Sequence, residues 1–228
     1  MAHALLDLVA SGKRPPVVRC YRPHATLAFG RRDRFLTGFP DAVAAARRHG
    51  FAPVIRGAGG RAAAYDEGCL IFDEVMPAGK STAGIRERFA EDARRQAGAL
   101  RRLGVDARVG EVPGEYCPGE FSVNARGRVK LIGAAERIVR GSWLHSSVVV
   151  VESATAVREA LLDVYATLGL DWDPATAGAV ADEAPGVSID AVRQFLLDDY
   201  GARYELSPAS LGAPELTRAQ ELLERHRA

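Results

Sequence analysis

The sequence predicts an α+β fold with mixed, mainly antiparallel sheets flanked by helices. Three observations predict it. Short apolar runs bounded by Gly, Pro and Asp recur through the first two-thirds of the chain and read as strands. Longer segments with apolar residues at helical spacing sit between them and dominate the C-terminal part. The two kinds of element do not alternate strictly, as a doubly wound sheet would require.

In chain order, residues 3–10 read as a short helix ended by Ser11-Gly12, followed by strands over 17–21 and 25–29. Residues 41–49 are helical, with Gly50 as the stop. Strand 51–55 runs into a glycine-rich segment. Residues 62–65 and 69–75 read as a strand pair turning at Asp66-Glu67-Gly68. The helix over 85–103 carries Phe89, Ala93, Ala97 and Leu100 on one face, and 106–109 is a short strand. Residues 121–125 and 128–132 form a hairpin around Ala125-Arg126-Gly127. Strands over 138–140 and 143–151 follow, the second a near-continuous apolar run expected inside a sheet. Helices close the chain at 154–165, 190–200 and 215–226, with Ser188 as N-cap of the second. Residues 171–186, rich in Ala, Asp and Pro, read as a surface loop. At roughly 100–200 residues per domain, residues 1–228 make one domain whose helical part is 154–228.

Composition narrows the function classes. The hydrophobic share is 47% and the charged share 26%, an ordinary globular balance. A net charge of +1 offers no basic surplus for nucleic acid. Cys20, Cys69 and Cys117 are odd in number and widely spaced, with no CxxC pair. Neither a metal site nor a disulfide framework is expected, and free thiols fit the cytoplasm. Asp7 interrupts the apolar N-terminal stretch, no cleavage pattern follows, and no 18-residue apolar run exists. Neither secretion nor membrane spanning is expected.

Four segments carry candidate chemistry. Gly59-Gly60 follows strand 51–55, and adjacent glycines let backbone N–H groups approach an anionic ligand closely. Arg56 and Arg61 flank that loop and can contact an anion in a bidentate way. A plain turn between strands is the competing reading. Lys130 stands out because the other lysines are only Lys13 and Lys80. On a strand it faces away from Val129 and Leu131, as a solvated lysine would. Gly133 leaves room for a ligand beside it. His145 lies in an apolar strand, where a hydrogen-bonded core histidine is the commoner outcome. Cys117 sits between Gly and Pro residues in Pro113-Gly114-Glu115-Tyr116-Cys117-Pro118-Gly119, an accessible loop. A nearby cation would make its thiol a nucleophile.

Three stretches together resemble the lipoate–protein ligase and octanoyltransferase superfamily, which also holds the biotin ligases. Residues 22–31 are similar to its early strand ending in a Gly-Arg turn. Residues 54–62 resemble its arginine and double-glycine ligand loop. Lys130-Leu131-Ile132-Gly133, followed by Leu144-His145-Ser146-Ser147, resembles its lysine motif and adjoining His strand. The match spans about residues 15–150. Departures are Tyr65 for a His, Gly133-Ala134-Ala135-Glu136 for Gly-Ser-Ala-Gln, and Ser146 for a Gly.

The resemblance implies a class II biotin/lipoyl synthetase-like fold with Lys130 holding an acyl carbonyl or acyl phosphate. It implies Arg56, Gly59, Gly60, Arg61, Gly133 and His145 as substrate-binding residues and no metal ligands. One transferase branch places a catalytic Cys shortly before the lysine strand, as Cys117 stands before Lys130. The implied reaction moves an octanoyl or lipoyl group from acyl carrier protein, through a Cys117 thioester, to a lipoyl-domain lysine with no tightly bound cofactor. An ATP- and Mg-dependent lipoate or biotin ligase is the alternative, and a non-catalytic acyl binder the third.

Overall fold

The computed structural model describes residues 1–78 and 84–228; Lys80 lies outside them. The elements are α1 (Ala2–Ala10), β1 (Val17–Tyr21), β2 (Thr26–Phe29), α2 (Phe39–Arg48), β3 (Ala52–Ile55), β4 (Ala63–Tyr65) and β5 (Cys69–Pro77). After these come α3 (Ile85–Arg102), β6 (Ala107–Val109), β7 (Val123–Ala125), β8 (Val129–Val139) and β9 (Ser142–Val150). The chain ends with α4 (Thr155–Leu168), α5 (Val180–Glu183), α6 (Ile189–Gly201) and α7 (Ala213–Glu221).

The α+β expectation holds. Among the described residues, a six-stranded sheet runs β1-β5-β9-β8-β7-β6 with every neighbouring pair antiparallel. A three-stranded sheet runs β3-β2-β4, with β2 and β3 parallel and joined through α2. The apolar run of β9 is explained by burial on both faces. Val149 packs with Leu131, Ile132 and residues of α3 and α6. Val150 packs with residues of α2 and α4. Burying one such side chain contributes about 1.5–3 kcal/mol, so the two faces together hold the larger sheet in place. No described helix is long and apolar enough to cross a membrane.

Turn chemistry explains several boundaries. Arg126 and Gly127 both take positive φ, at 56° and 71°, at the centre of the turn between β7 and β8 in which the Arg128 N–H donates to the Ala125 carbonyl at 2.9 Å. Gly169 ends α4 at φ 65° in the left-handed conformation. Ser188 caps α6 by accepting from the Ala191 N–H at 3.1 Å, as the sequence predicts.

Four expectations need correction. The runs 62–65 and 69–75 are not a pair, because β4 joins the small sheet and β5 the large one. The strands read at 128–132 and 138–140 are one strand, β8, since its partner β9 is long enough to pair with all of the second half. Residues 121–122 precede β7 rather than belong to it. The segment 171–186 is not a surface loop. Ala177, Ala179 and Val180 are buried in it, and Gly178 donates to the Lys130 carbonyl at 3.2 Å.

Candidate active site

The loop between β6 and β7 carries Cys117, and its shape is built around a buried carboxylate. Glu115 Oε1 accepts from the Gly119 N–H at 2.9 Å, from Ser122 Oγ at 2.6 Å and from Lys130 Nζ at 3.1 Å. Its Oε2 accepts from the Val112 N–H at 3.2 Å. A buried charge is tolerated only when paired and hydrogen-bonded in this way.

Lys130 supplies the pairing charge. Only 3% of it is exposed, so the solvated reading fails. The cause is the loop above it: Val129, Leu131 and Ile132 pack on the other side of β8, and the segment from Glu115 to Cys117 covers the side on which Lys130 lies. The side chain then lies over Gly133, where an added Cβ would stand 3.0 Å from Lys130 Cε. Beyond Glu115, Nζ donates to the carbonyls of Tyr116 at 3.1 Å and Cys117 at 2.9 Å. All three N–H donors of the ammonium are thus occupied. The room predicted beside Gly133 is filled by the lysine itself.

These contacts hold Cys117 in an unusual conformation. Its φ is 42°, in the left-handed region that non-glycine residues rarely enter. Such a residue costs about 1–3 kcal/mol and persists only where its surroundings enforce it. From the other side, the Cys117 N–H donates to Tyr165 Oη at 2.8 Å, and Oη donates to the Ala62 carbonyl at 2.9 Å. Burial, with Cys117 adding to it, raises the Tyr165 phenol above its usual range, so the relay stays protonated.

Two donors converge on the sulfur. Arg56 Nη2 and the Arg61 main-chain N–H both lie 3.2 Å from Cys117 Sγ. Arg56 is held by a second bond from Nη2 to the Arg61 carbonyl at 2.7 Å. Arg61 reaches Asp33 Oδ1 with Nη1 at 3.0 Å, so its side chain anchors the loop while its backbone faces the thiol. Gly60, at φ 101°, is required here: a Cβ would lie 2.2 Å from Arg56 Nη2 and 2.8 Å from the sulfur. Gly59 has no such constraint, with nothing within 4 Å of an added Cβ.

The structure therefore brings Cys117, Lys130, Gly133, Arg56, Gly60 and Arg61 together, with Gly59 alongside. His145 stands apart. It points to α3, where Nε2 bonds Asp92 Oδ2 at 3.0 Å, whereas Cys117 and Tyr116 pack on the side of α2 and α4. Its Nδ1 lies 3.7 Å from Glu136 Oε2, an ion-pair distance without a hydrogen bond. Burial pulls the imidazole pKa down, but Asp92 and Glu136 outweigh it and raise the value to about 9. Cys20 and Cys69 are pushed up to about 12 by burial, which leaves them as inert hydrophobes. Glu115 and Tyr165 escaped the sequence reading. The one available signal for Glu115 was an acidic residue two positions before a loop cysteine.

Residues 1–200 match the family described as "Lipoyl protein ligase A/B catalytic domain". The chain belongs to that family. An octanoyl-[GcvH]:protein N-octanoyltransferase of Geobacillus kaustophilus is 29% identical over 184 residues, which cover 81% of this chain and 64% of that protein. A protein of the same name from Anoxybacillus flavithermus is 33% identical over 138 residues, covering 60% and 49%. The chain thus spans between about half and two-thirds of the length of these two relatives. In structure, it resembles the bi-partite lipoate protein ligase of Thermoplasma acidophilum, described with its E2 lipoyl domain. The TM-score is 0.69 at 21% identity, covering 98% of this chain and 87% of that one. At that identity the likeness speaks for the lipoyl protein ligase fold alone.

Proposed function

We propose that this lipoyl protein ligase A/B-family chain transfers an octanoyl group between proteins through a thioester on Cys117. The carrying observation is the pair of N–H donors, from Arg56 and Arg61, 3.2 Å from a sulfur held in a left-handed backbone conformation. The names of the relatives supply the substrate class: an octanoyl group on a GcvH-type lipoyl-domain protein as donor, rather than on acyl carrier protein, and a second protein as acceptor.

The transfer balances in two steps. The Cys117 sulfur attacks the donor carbonyl and forms the thioester bond; the bond to the donor nitrogen breaks, and the departing lysine amine takes the proton that the thiol gives up. The acceptor lysine amine then attacks the thioester carbonyl, an amide forms, and the sulfur leaves with the proton the amine loses. No external energy source is needed, because one amide replaces another. In each step negative charge develops on the carbonyl oxygen beside the sulfur. Arg56 and the Arg61 N–H are the donors placed to stabilise it. Lys130 acts as a positioning residue, since its donors are spent on Glu115 and the loop carbonyls. Only the ligase alternative calls for ATP and Mg as cosubstrates. Single-turnover incubation with an octanoylated lipoyl-domain protein tests the reading: an octanoyl group on wild type that Cys117→Ser cannot carry is expected, and pyrophosphate release from ATP and free octanoate would overturn it.

A further inference from the structure

Residues 172–178, between α4 and α5, grip both parts of the chain that hold the thiol. The Asp173 N–H donates to the Gly114 carbonyl at 2.7 Å, at the base of the cysteine loop. Farther on, the Gly178 N–H donates to the Lys130 carbonyl at 3.2 Å, and Ala177 pairs with Lys130 as an isolated parallel bridge. One short segment thus ties the start of the loop to the main chain of the lysine whose side chain reaches the Cys117 carbonyl.

Both grips depend on close approach. Gly114 sits at φ 83°, and an added Cβ would stand 3.2 Å from Asp173 Cβ. At Gly178 an added Cβ would stand 2.8 Å from Val129 Cβ, a branched carbon fixed to the main chain of β8. The segment is also stiff in itself. Asp173 Oδ1 accepts from the Ala175 N–H at 2.9 Å and caps a single 3-10 turn over Pro174–Thr176. Arg158 on α4 fastens that turn with two donors, Nε to the Pro174 carbonyl at 3.0 Å and Nη2 to the Ala177 carbonyl at 2.7 Å.

Trp172 opens the segment. Its ring meets Tyr116 edge-on with centroids 5.7 Å apart, and lies 5.8 Å from the ring of Tyr165. These tyrosines hold Cys117 from two sides: Tyr116 places its carbonyl on Lys130 Nζ, and Tyr165 accepts from the Cys117 N–H. Trp172 Nε1 is buried with no acceptor among the described residues, so packing alone holds the indole.

We propose that residues 172–178 form a bracket in which Trp172 and Arg158 are positioning residues for the Cys117 sulfur. The hydrogen bonds to the sulfur come from Arg56 and Arg61, so both residues act through the loop. Trp172 fixes the two tyrosines. Arg158 fixes the turn, and with it the grips on Gly114 and Lys130. A left-handed cysteine persists only where its surroundings over-determine it, and the bracket is the part of those surroundings farthest from the sulfur. Its part in transfer rests on the thioester reading; its hold on the thiol does not.

Two rates measured on the full chain, at a temperature where urea denaturation shows each variant folded, test the bracket. The first is alkylation of Cys117 by iodoacetamide, followed by intact mass; Cys20 and Cys69, pushed up to about 12 by burial, stay protonated and slow. The second is octanoyl transfer. Trp172→Ala and Arg158→Ala should alkylate more slowly than wild type. Their kcat should fall on the order of a hundredfold, the cost of misplacing a reacting group by about 1 Å, with KM for the donor protein unchanged. Trp172→Phe, which keeps a ring against both tyrosines, should restore most of both rates. Leu196→Ala removes a buried side chain from the core on the α3 and α6 side of the sheet, so it should lower stability yet match wild type in both rates. Should Trp172→Ala fail to fold, Arg158→Ala gives the same comparison. A wild-type chain that never carries octanoate would remove the transfer reading, and alkylation alone would then decide the bracket. Wild-type alkylation in folded Arg158→Ala and Trp172→Phe alike, with no loss in Trp172→Ala, or equal slowing in Leu196→Ala, would overturn the proposal.

Discussion

Lys130 Nζ donates to the main-chain oxygen of Cys117 across 2.9 Å, joining β8 to a residue 13 positions earlier. The same ammonium is paired with Glu115, so one side chain both neutralises a buried carboxylate and holds the loop that presents the sulfur. This links stability to function at a single atom.

Lys130→Ala leaves Glu115 buried and uncompensated. Removing one partner of a buried pair costs about 3–5 kcal/mol. Urea denaturation should register that loss, and Glu115→Gln added to Lys130→Ala should recover part of it. Equal stability of wild type and Lys130→Ala would show that the pair is not needed.

Tyr165→Phe deletes the hydroxyl that accepts from the Cys117 N–H and donates to the Ala62 carbonyl. Two backbone groups lose their partner, at a cost of about 1–3 kcal/mol. Transfer rate should fall more than stability explains at temperatures where the variant is fully folded, because the left-handed turn at Cys117 loses one of its holders.

Gly60→Ala and Gly59→Ala should differ sharply. An added methyl at Gly60 enters the space of Arg56 Nη2 and the sulfur, while one at Gly59 meets nothing. Displacing a reacting group by about 1 Å costs on the order of a hundredfold in rate. Single-turnover transfer should drop by that order in Gly60→Ala and stay near wild type in Gly59→Ala. Equal rates would remove the glycine loop from the thiol's surroundings.

His145 makes stability depend on pH. Its folded pKa is raised to about 9 from the ordinary imidazole value of 6.5, so its charged form favours folding. That contribution is complete below about pH 6.5 and is lost as pH rises through about 9. Thermal denaturation should show Tm falling across this window in wild type. His145→Gln should lose that slope; a slope identical in both would place the titration elsewhere.

The sheets and helices were legible in sequence because they follow local pattern: the apolar run of β9 and the apolar face of α3 need no tertiary information. Sheet membership was not. Residues 62–65 and 69–75 are both good strands, and only the packing of α2 and α4 assigns β4 to the smaller sheet. For the site, Arg56, Gly60, Arg61, Cys117 and Lys130 were visible as unusual residue types in a fixed order. The burial of Lys130 was hidden: it faces away from Val129 and Leu131 as alternation predicts, but the distant loop carrying Glu115, Tyr116 and Cys117 covers that face. Glu115 and Tyr165 were hidden for a related reason: each acts through long-range hydrogen bonds that spacing along the chain does not encode.

The central claim is that Cys117 carries the acyl group. Intact-mass measurement of the chain after brief incubation with an octanoylated lipoyl-domain protein tests it most directly. One octanoyl group on wild type, located to Cys117 by peptide mapping and absent from Cys117→Ser, is the predicted result. A wild-type chain that passes octanoate to an acceptor while never carrying it, or a Cys117→Ser chain that transfers at the wild-type rate, would contradict the claim.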